Sequence, residues 1–517
     1  MTPDRIHRLR WWTLGVLSLS LFLVSLDNTI LNVALPTLQR DLRPSASQLE
    51  WIVDAYMLVF ASFLLVAGSL GDRFGRRRVL LTGLVIFGVG SLASAFSGSA
   101  EGLIASRALM GFGGAAIMPS TLSILSNVFA GKERAKAIAV WAAVSGLAVA
   151  FGPVIGGYLL QRFWWGSVFL VNVPFVAVAM IAAWSLVPES RDPRSPRLDL
   201  VGAALSVAGL TALVWSIIEA PSHGWTSAAI MRGFVTAVLV LAAFVAWELR
   251  TEHPMLPLRF FRDPRFSAAS ASVALVFFAL FGVIFELTQY LQSVLGYSAL
   301  GAGLRTLPVS LGLILGAGLS TRLTPRIGTK LIVSGGLTVL AGGLALLGTL
   351  HTDGGYSTVA IAFLVLGFGM GLAMAPATDS IMGSLPLTQA SVGSAINDTV
   401  RMVGGALGVA VLGSILSSRY SSDMGSAVHG LPAPVAHAAR DDLGAALHAA
   451  TQSRSTALAD AAKNAFVTGM TSAVWVAAAI AVLGALVALV ALPSRERDAL
   501  PVDDVPVEAP VVEPAAA

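Results

Sequence analysis

Four ionisable side chains, Asp27, Asp54, Arg107 and Glu286, interrupt stretches of sequence that are otherwise almost wholly apolar. Holding a charge at the centre of a lipid bilayer costs roughly 2.5–3.5 kcal/mol even on lenient scales, so such a residue is a functional candidate from the outset. A carboxyl group in a low-dielectric site holds its proton firmly, and a guanidinium nearby loosens it. Asp27 with Arg107 is therefore a candidate proton-coupling pair, binding a proton in one geometry and releasing it in another. The alternative is a fixed ion pair that ties two helices together. Asp54 could bind a cation or share the proton. It could equally be a partly solvated acid in the first turn of its helix, where the dipole favours negative charge. Glu286 is a candidate cation or proton site, against a buried carboxyl bonded to Gln289 or to another helix.

The elements that must hold these groups are membrane helices. Of 517 residues, 56% are hydrophobic and 12% charged, where soluble domains carry about 25% charge. In lipid every backbone polar group must be satisfied by a helix or a closed barrel. The apolar runs are continuous, not alternating, which selects helices over a barrel. Fourteen spans are expected, starting near Trp12, Trp51, Val79, Leu103, Ala137, Trp165, Leu200, Ala228, Ser267, Gly303, Leu331, Thr358, Ser391 and Phe466. The first follows Arg5, Arg8 and Arg10 and lacks a small-x-small cleavage site, so it reads as an uncleaved span. With both termini in the cytoplasm, most of the 33 Lys and Arg fall in cytoplasmic segments, as the positive-inside rule requires. The four buried charges then lie in the outer half of the membrane.

The chain repeats itself. Leu38-Gln39, Ser45-Ala46 and Arg73-x-Gly75 recur as Leu291-Gln292, Ser298-Ala299 and Arg326-x-Gly328, and Gly111-Phe112-Gly113 as Gly367-Phe368-Gly369. The fold class expected is all-α integral membrane, two six-helix bundles with two inserted helices. The units are 1–190, an insert at 191–250, and 251–493 with a long Ala-rich outer loop at 417–465 that could form a surface helix. The Pro/Val/Glu-rich tail, 494–517, has the composition of a disordered cytoplasmic segment. At the repeat spacing Asp27 aligns with Leu280, Asp54 with Leu307, Arg107 with Phe363 and Glu286 with Val33. Charges serving only as bundle glue should recur in both copies, and these do not.

Between the second and third spans lies a short polar loop from Gly71 to Arg78. The pattern Gly68-x-Leu70-x-Asp72-Arg73-x-Gly75-Arg76-Arg77 resembles the signature loop of the major facilitator superfamily of transporters. Three further motifs resemble its fourteen-span drug:proton antiporter branch. They are Leu26-Asp27-Asn28-Thr29 running to Asn32-Val33-Ala34-Leu35-Pro36, Arg107 through Gly111-Phe112-Gly113-Gly114, and Gly146 through Gly152-Pro153-Val154-Ile155-Gly156-Gly157. The resemblance covers about Leu21 to Pro493. It implies a gate role for Gly68, Asp72, Arg73, Gly75 and Arg76, with the Asp72 carboxylate meeting a helix N-terminus of the other half near Ser391 and bridging to Glu133 and Arg134 through the arginines, contacts that would hold the outward-open state and break on opening inward. The second copy has Pro325 in place of that acid. Gly146, Gly152, Pro153, Gly156 and Gly157 form the antiporter motif, read either as a simple packing face or as a seal against proton leak between the halves.

The function implied is secondary active efflux of drugs or antibiotics in exchange for protons by alternating access, in the inner (plasma) membrane, by a monomer that is not an enzyme. Small hydrophobic drugs, cationic ones included, protons and the bilayer are the partners. Phe22, Trp141, Phe151, Phe278 and Phe281 could line an apolar cavity or face lipid. Export of a lipid, a cell-envelope component or a self-made metabolite is the alternative; a receptor or membrane enzyme would need a polar cluster that the sequence does not offer. No P-loop is present, since both Gly-Phe-Gly runs lie inside membrane helices, so the proton gradient and not ATP is the expected energy source. No cofactor and no nucleic acid is expected. The absence of cysteine excludes disulfides and thiolate metal sites. His429, His437 and His448 lack metal-ligand spacing, and no metal is expected. Asp398 and Arg401 should pair along their helix, and Asp379 should be solvated.

Overall fold

A computed structural model describes residues 3–129, 131–191, 199–252, 254–352, 354–385, 390–429 and 431–492. Among these, fourteen helices are long and apolar enough to cross a membrane. Spans 1–6 are Asp4–Asp41, Ala46–Phe74, Arg76–Ala95, Ala100–Val128, Lys136–Arg162 and Ser167–Leu186. Spans 7 and 8 are Leu200–His223 and Ala228–Glu248. Spans 9–14 are Pro264–Val294, Ala299–Ile327, Thr329–Leu347, Tyr356–Gly383, Gly393–Met424 and Thr456–Ala491.

Short polar residues set where these helices begin. Ser45 caps span 2 through Gln48 N–H, and Gln48 returns the bond to the Ser45 backbone. Ser298 caps the equivalent span 10 through Gly301 N–H. Each cap satisfies an end-of-helix donor that lipid or a dry interior would leave orphaned. At the other end of the same hairpins the chain reverses on a single residue, Gly75 at φ 113° and Gly328 at φ 89°. A side chain is strained at such angles, which is why the turn of each copy uses glycine.

The internal repeat is visible in the packing. Span 1 lies on spans 5, 4 and 6, and span 9 lies on 13, 12 and 14. Span 4 lies on 2 and 3, and span 12 on 10 and 11. The Gly-Phe-Gly runs make those approaches possible. A Cβ at Gly113 would reach the Phe87 backbone of span 3, and one at Gly369 the Leu340 backbone of span 11. The two bundles meet through span 2 against 13 and span 5 against 10, again a symmetric pair. Spans 7 and 8 pack on each other, and span 7 also rests on spans 2 and 13, closing one side of that seam.

The expected loop at 417–465 is mostly helix. Span 13 runs on to Met424, short helices occupy Ala433–Asp441 and Leu443–Ser453, and span 14 begins at Thr456. Alanine-rich sequence favours helix even where no membrane enforces it. The tail 494–517 lies outside the described residues.

Candidate functional site

Span 1 carries Asp27 and span 4 carries Arg107, and the two side chains meet inside the first bundle. Arg107 Nη1 donates to Asp27 Oδ2 at 2.5 Å, and both are buried. Arg107 Nε donates to the Ile52 carbonyl at 3.1 Å, and its guanidinium lies over the Tyr56 ring at 4.4 Å. Asn172 of span 6 donates to Asp27 Oδ1 at 3.3 Å and to Ser91 at 3.1 Å. A buried pair is tolerable only when its remaining polar valences are met, and spans 1, 2, 3, 4 and 6 together meet them. Nothing in the sequence pattern singled out Asn172; its position becomes meaningful only once span 6 packs on span 1.

Asp54 on span 2 and Glu286 on span 9 are equally buried but unsatisfied. None of their four carboxyl oxygens has a hydrogen-bond partner. The expected bond from Glu286 to Gln289 is not made, because the Gln289 amide donates to the Phe285 carbonyl at 3.2 Å. Asp54 is buried between helices and not solvated at a helix end. A third acid, Glu50, joins them. It is 2% exposed, its Oε2 lacks a partner among the described residues, and Asp54, Glu286 and Glu219 of span 7 are the acids in its neighbourhood. In the sequence Glu50 stands just outside the apolar run that opens at Trp51, where an acid carries no membrane cost and draws no notice. The four-residue spacing from Asp54, which puts both on one helix face, was the available signal.

A cavity of about 880 Å³ lies between the bundles at the end that carries the 71–78 loop. Gly68, Asp72, Pro119, Trp141, Met382 and Asp398 are among its walls. None of Asp27, Asp54, Arg107 or Glu286 lines it. Of the five aromatics named above, only Trp141 does, with its indole N–H unpartnered. Phe278 and Phe281 are buried between helices, and Phe151 is 49% exposed. Asp398 pairs with Arg401 at 3.4 Å, and Asp379 is exposed.

The signature loop is folded on itself. Asp72 accepts from Arg76, with Nη2 at 2.7 Å. Arg73 lies over the Phe74 ring at 5.5 Å, and a Cβ on Gly75 would collide with Glu189, which also meets Arg77 and Arg78. With the cavity open at this end, no bridge to Glu133 and Arg134 is present among the described residues, and the contacts expected of the opposite, outward-open state are not sampled here. Glu133 is taken by Arg10 at 3.0 Å, and Arg134 donates to the Phe129 carbonyl. The side chain of Ser391 lies outside the described residues.

At the far end the bundles are shut. Gly157 of span 5 rests on Ala299 and Leu300 of span 10, while Gly303 rests on the Pro153 carbonyl. Gln292 of span 9 donates to the Val33 carbonyl of span 1 at 2.9 Å. The glycine motif therefore divides its work. Gly152 and Gly156 pack on Thr29 and Ile30 within their own half, and only Gly157 and Pro153 face the other half. Gly146 does not pack at all, since a Cβ there would meet open space.

Comparison with known proteins agrees with this architecture. The family model described as Major Facilitator Superfamily matches residues 17–409. The chain is 37% identical to the "Multidrug efflux pump LfrA" of Mycolicibacterium smegmatis, over 95% of this chain and 97% of that one. It is 35% identical to the "Tetracenomycin C resistance and export protein" of Streptomyces glaucescens, over 97% and 94%. Among solved structures it superposes on a bacterial homologue of the human lysosomal transporter Spinster, inward-facing and unoccupied. The TM-score is 0.63 at 18% identity, covering 93% of this chain and 98% of that one. A two-bundle helical fold of this kind, matched by the family model over most of its length and by relatives almost end to end, makes the chain a multi-pass membrane transporter of the Major Facilitator Superfamily, not an enzyme.

Proposed function

We propose that this transporter exports hydrophobic drugs or antibiotics, cationic ones included, in exchange for protons, by alternating access in the plasma membrane. The relatives described as a multidrug efflux pump and an antibiotic export protein support the substrate class. In our reading both termini are cytoplasmic, the 880 Å³ cavity faces the cytoplasm and the far end is the outer face. The conformation is then the one that accepts drug from inside the cell, through a cavity whose wall includes Trp141. The domain plan that goes with it is 1–190 and 251–493 rocking about their seam, with 191–250 riding on its side.

The observation that carries the reading is the pairing of a closed ion pair with open acids at one depth. Asp27 is locked to Arg107, while Asp54 and Glu286 sit dry and unpartnered between the bundles. An ionised carboxylate without a partner in such a place is prohibitively costly, so those two are neutral here and carry protons. Asp27 has given its proton up in this state and is held by Arg107. When the bundles rock and the outer end opens, Asp27 reprotonates, the pair loosens, and drug leaves. Asp54 and Glu286 then stand where an outward cavity would form and bind a cationic drug or share the proton. Asp72 lets go of Arg76 to meet the other half, which closes the cytoplasmic gate.

The driving force is sufficient. At about 2.3 kcal/mol per charge per 100 mV, a potential near 150 mV supplies roughly 3.5 kcal/mol per proton. At about 1.4 kcal/mol per tenfold, that sustains a several-hundred-fold gradient of a neutral drug. A monovalent cation exchanged one for one moves no net charge and draws on the pH difference, about tenfold per pH unit. The test is ethidium efflux from energised cells expressing the protein. Efflux should stop when an uncoupler collapses the proton gradient; efflux at an unchanged rate would overturn the reading.

A further inference from the structure

We propose that Glu50 is a proton-loading group of this transporter, reached from the outer face through a small cavity beneath the Leu443–Ser453 helix. The inference deepens the antiport reading and rests on it.

A cavity of about 30 Å³ separates Glu50 from the outer surface, walled by Gln39, Gln289, Tyr420, Asp441 and Asp442 among others. A cavity needs about 10–15 Å³ to hold one water, so this one has room for at least one. Glu50 lines its inner end, almost wholly buried, with Oε2 unpartnered. Span 13 makes room for the carboxyl with a glycine: a Cβ at Gly413 would stand 2.7 Å from Glu50 Cδ. At the outer end Gln39 of span 1 donates to Asp442, the N-cap of the Leu443–Ser453 helix, so a side-chain contact between span 1 and the surface helices plugs the cavity. Past Asp441 and Asp442 at the mouth, Glu50 is thus the first acid of the membrane spans that a proton meets on the way in, and Asp54 is one helical turn further along the same face.

The groups facing Glu50 leave it no counter-charge. Span 2 presents Asp54, span 9 Glu286, span 7 Glu219, span 13 Tyr420 and the surface helices Asp441 and Asp442. A carboxylate there is stable only with a proton or a cation on it. In the step itself a hydronium O–H bond breaks at a cavity water and an O–H bond forms on Glu50 Oε2. The same proton then passes to a carboxylate oxygen of Asp54 when that group is empty, and Glu50 reloads from outside.

The experiment uses the full-length protein in proteoliposomes. Ethidium efflux is followed against external pH at fixed membrane potential for wild type, Glu50→Gln and Glu50→Asp. Glu50→Gln, which cannot release a proton, should lower gradient-driven efflux at least tenfold and flatten its pH profile. Glu50→Asp should restore the profile's shape. Glu50→Gln with the wild-type rate and profile overturns the proposal. So does loss of efflux in both variants with the profile's shape retained, since that marks Glu50 as structural. Should Glu50→Gln fail to fold, Glu50→Asp alone decides: its profile must move along the pH axis, and an unmoved profile overturns the proposal. Wild-type efflux that ignores the proton gradient would instead strike down the antiport reading itself, which keeps the two failures apart.

Discussion

The Asp27–Arg107 pair makes sense only with its surroundings counted. Arg107 spends its guanidinium on Asp27, the Ile52 carbonyl and the Tyr56 face, and Asn172 takes the other Asp27 oxygen. Removing one partner of such a pair strands the other, at a cost of about 3–5 kcal/mol. Arg107→Ala should therefore lower the thermal unfolding temperature of the detergent-solubilised protein markedly. Adding Asp27→Asn to it should recover most of that loss but no transport. Asp27→Asn alone keeps a hydrogen-bonding side chain and no charge. It should reach the membrane at the wild-type level and reduce drug resistance of expressing cells at least tenfold. Unchanged resistance would remove Asp27 from the mechanism. Two charged partners were legible in the sequence because ions are expensive in apolar runs. Asn172 was not, because a neutral amide in a helix carries no such penalty, and Glu50 was not, because it stands at the edge of its run.

At the scale of elements, span 5 and the surface helices make contacts at the shut far end. Gly157 rests on the backbone of span 10, so a larger residue there has nowhere to go. Gly157→Leu should hold the outer end apart. Because the chain has no cysteine, single cysteines placed on the facing ends of spans 5 and 10 would report this as faster labelling by a membrane-impermeant reagent. Labelling at the wild-type rate would argue that the motif is not a seam. The Leu443–Ser453 helix carries its own pH dependence. Burial pushes Asp442 up from an ordinary 3.8 to about 6, against the opposing pull of the Ala445 N–H and the Gln39 amide. A raised carboxyl pKa means the folded state binds the proton more tightly, so the stability it adds is full below about pH 4 and is lost as pH rises through 6. Amide exchange in Leu443–Ser453, corrected for intrinsic rates, should be slower at pH 5 than at pH 7.5. Asp442→Asn should remove the difference. The helices in this loop were only half legible: alanine content announces helix, but not where span 13 ends or where each turn falls.

For the molecule as a whole, most of the architecture was written in the order of the chain. Continuous apolar runs dictate helices, and fourteen of them are present among the described residues. The repeated Leu-Gln, Ser-Ala and Gly-Phe-Gly pairs mark equivalent packing positions, because a glycine run that seats span 4 on spans 2 and 3 is needed again to seat span 12 on 10 and 11. What the chain order could not convey is which end is shut, since closure is a property of how two bundles lean and both arrangements use the same residues. The shut far end and the cavity beside Asp72 follow from that lean, and it is why none of Asp27, Asp54, Arg107 and Glu286 touches the cavity. The central claim, that drug and proton move in opposite directions through one rocking body, is tested most directly with the purified protein in sealed liposomes holding a pH-sensitive dye. An imposed ethidium gradient, with no proton gradient at the start, should drive protons the opposite way in the wild-type protein and not in Asp27→Asn. Ethidium movement with no proton movement, or equal proton movement in the variant, would contradict the account.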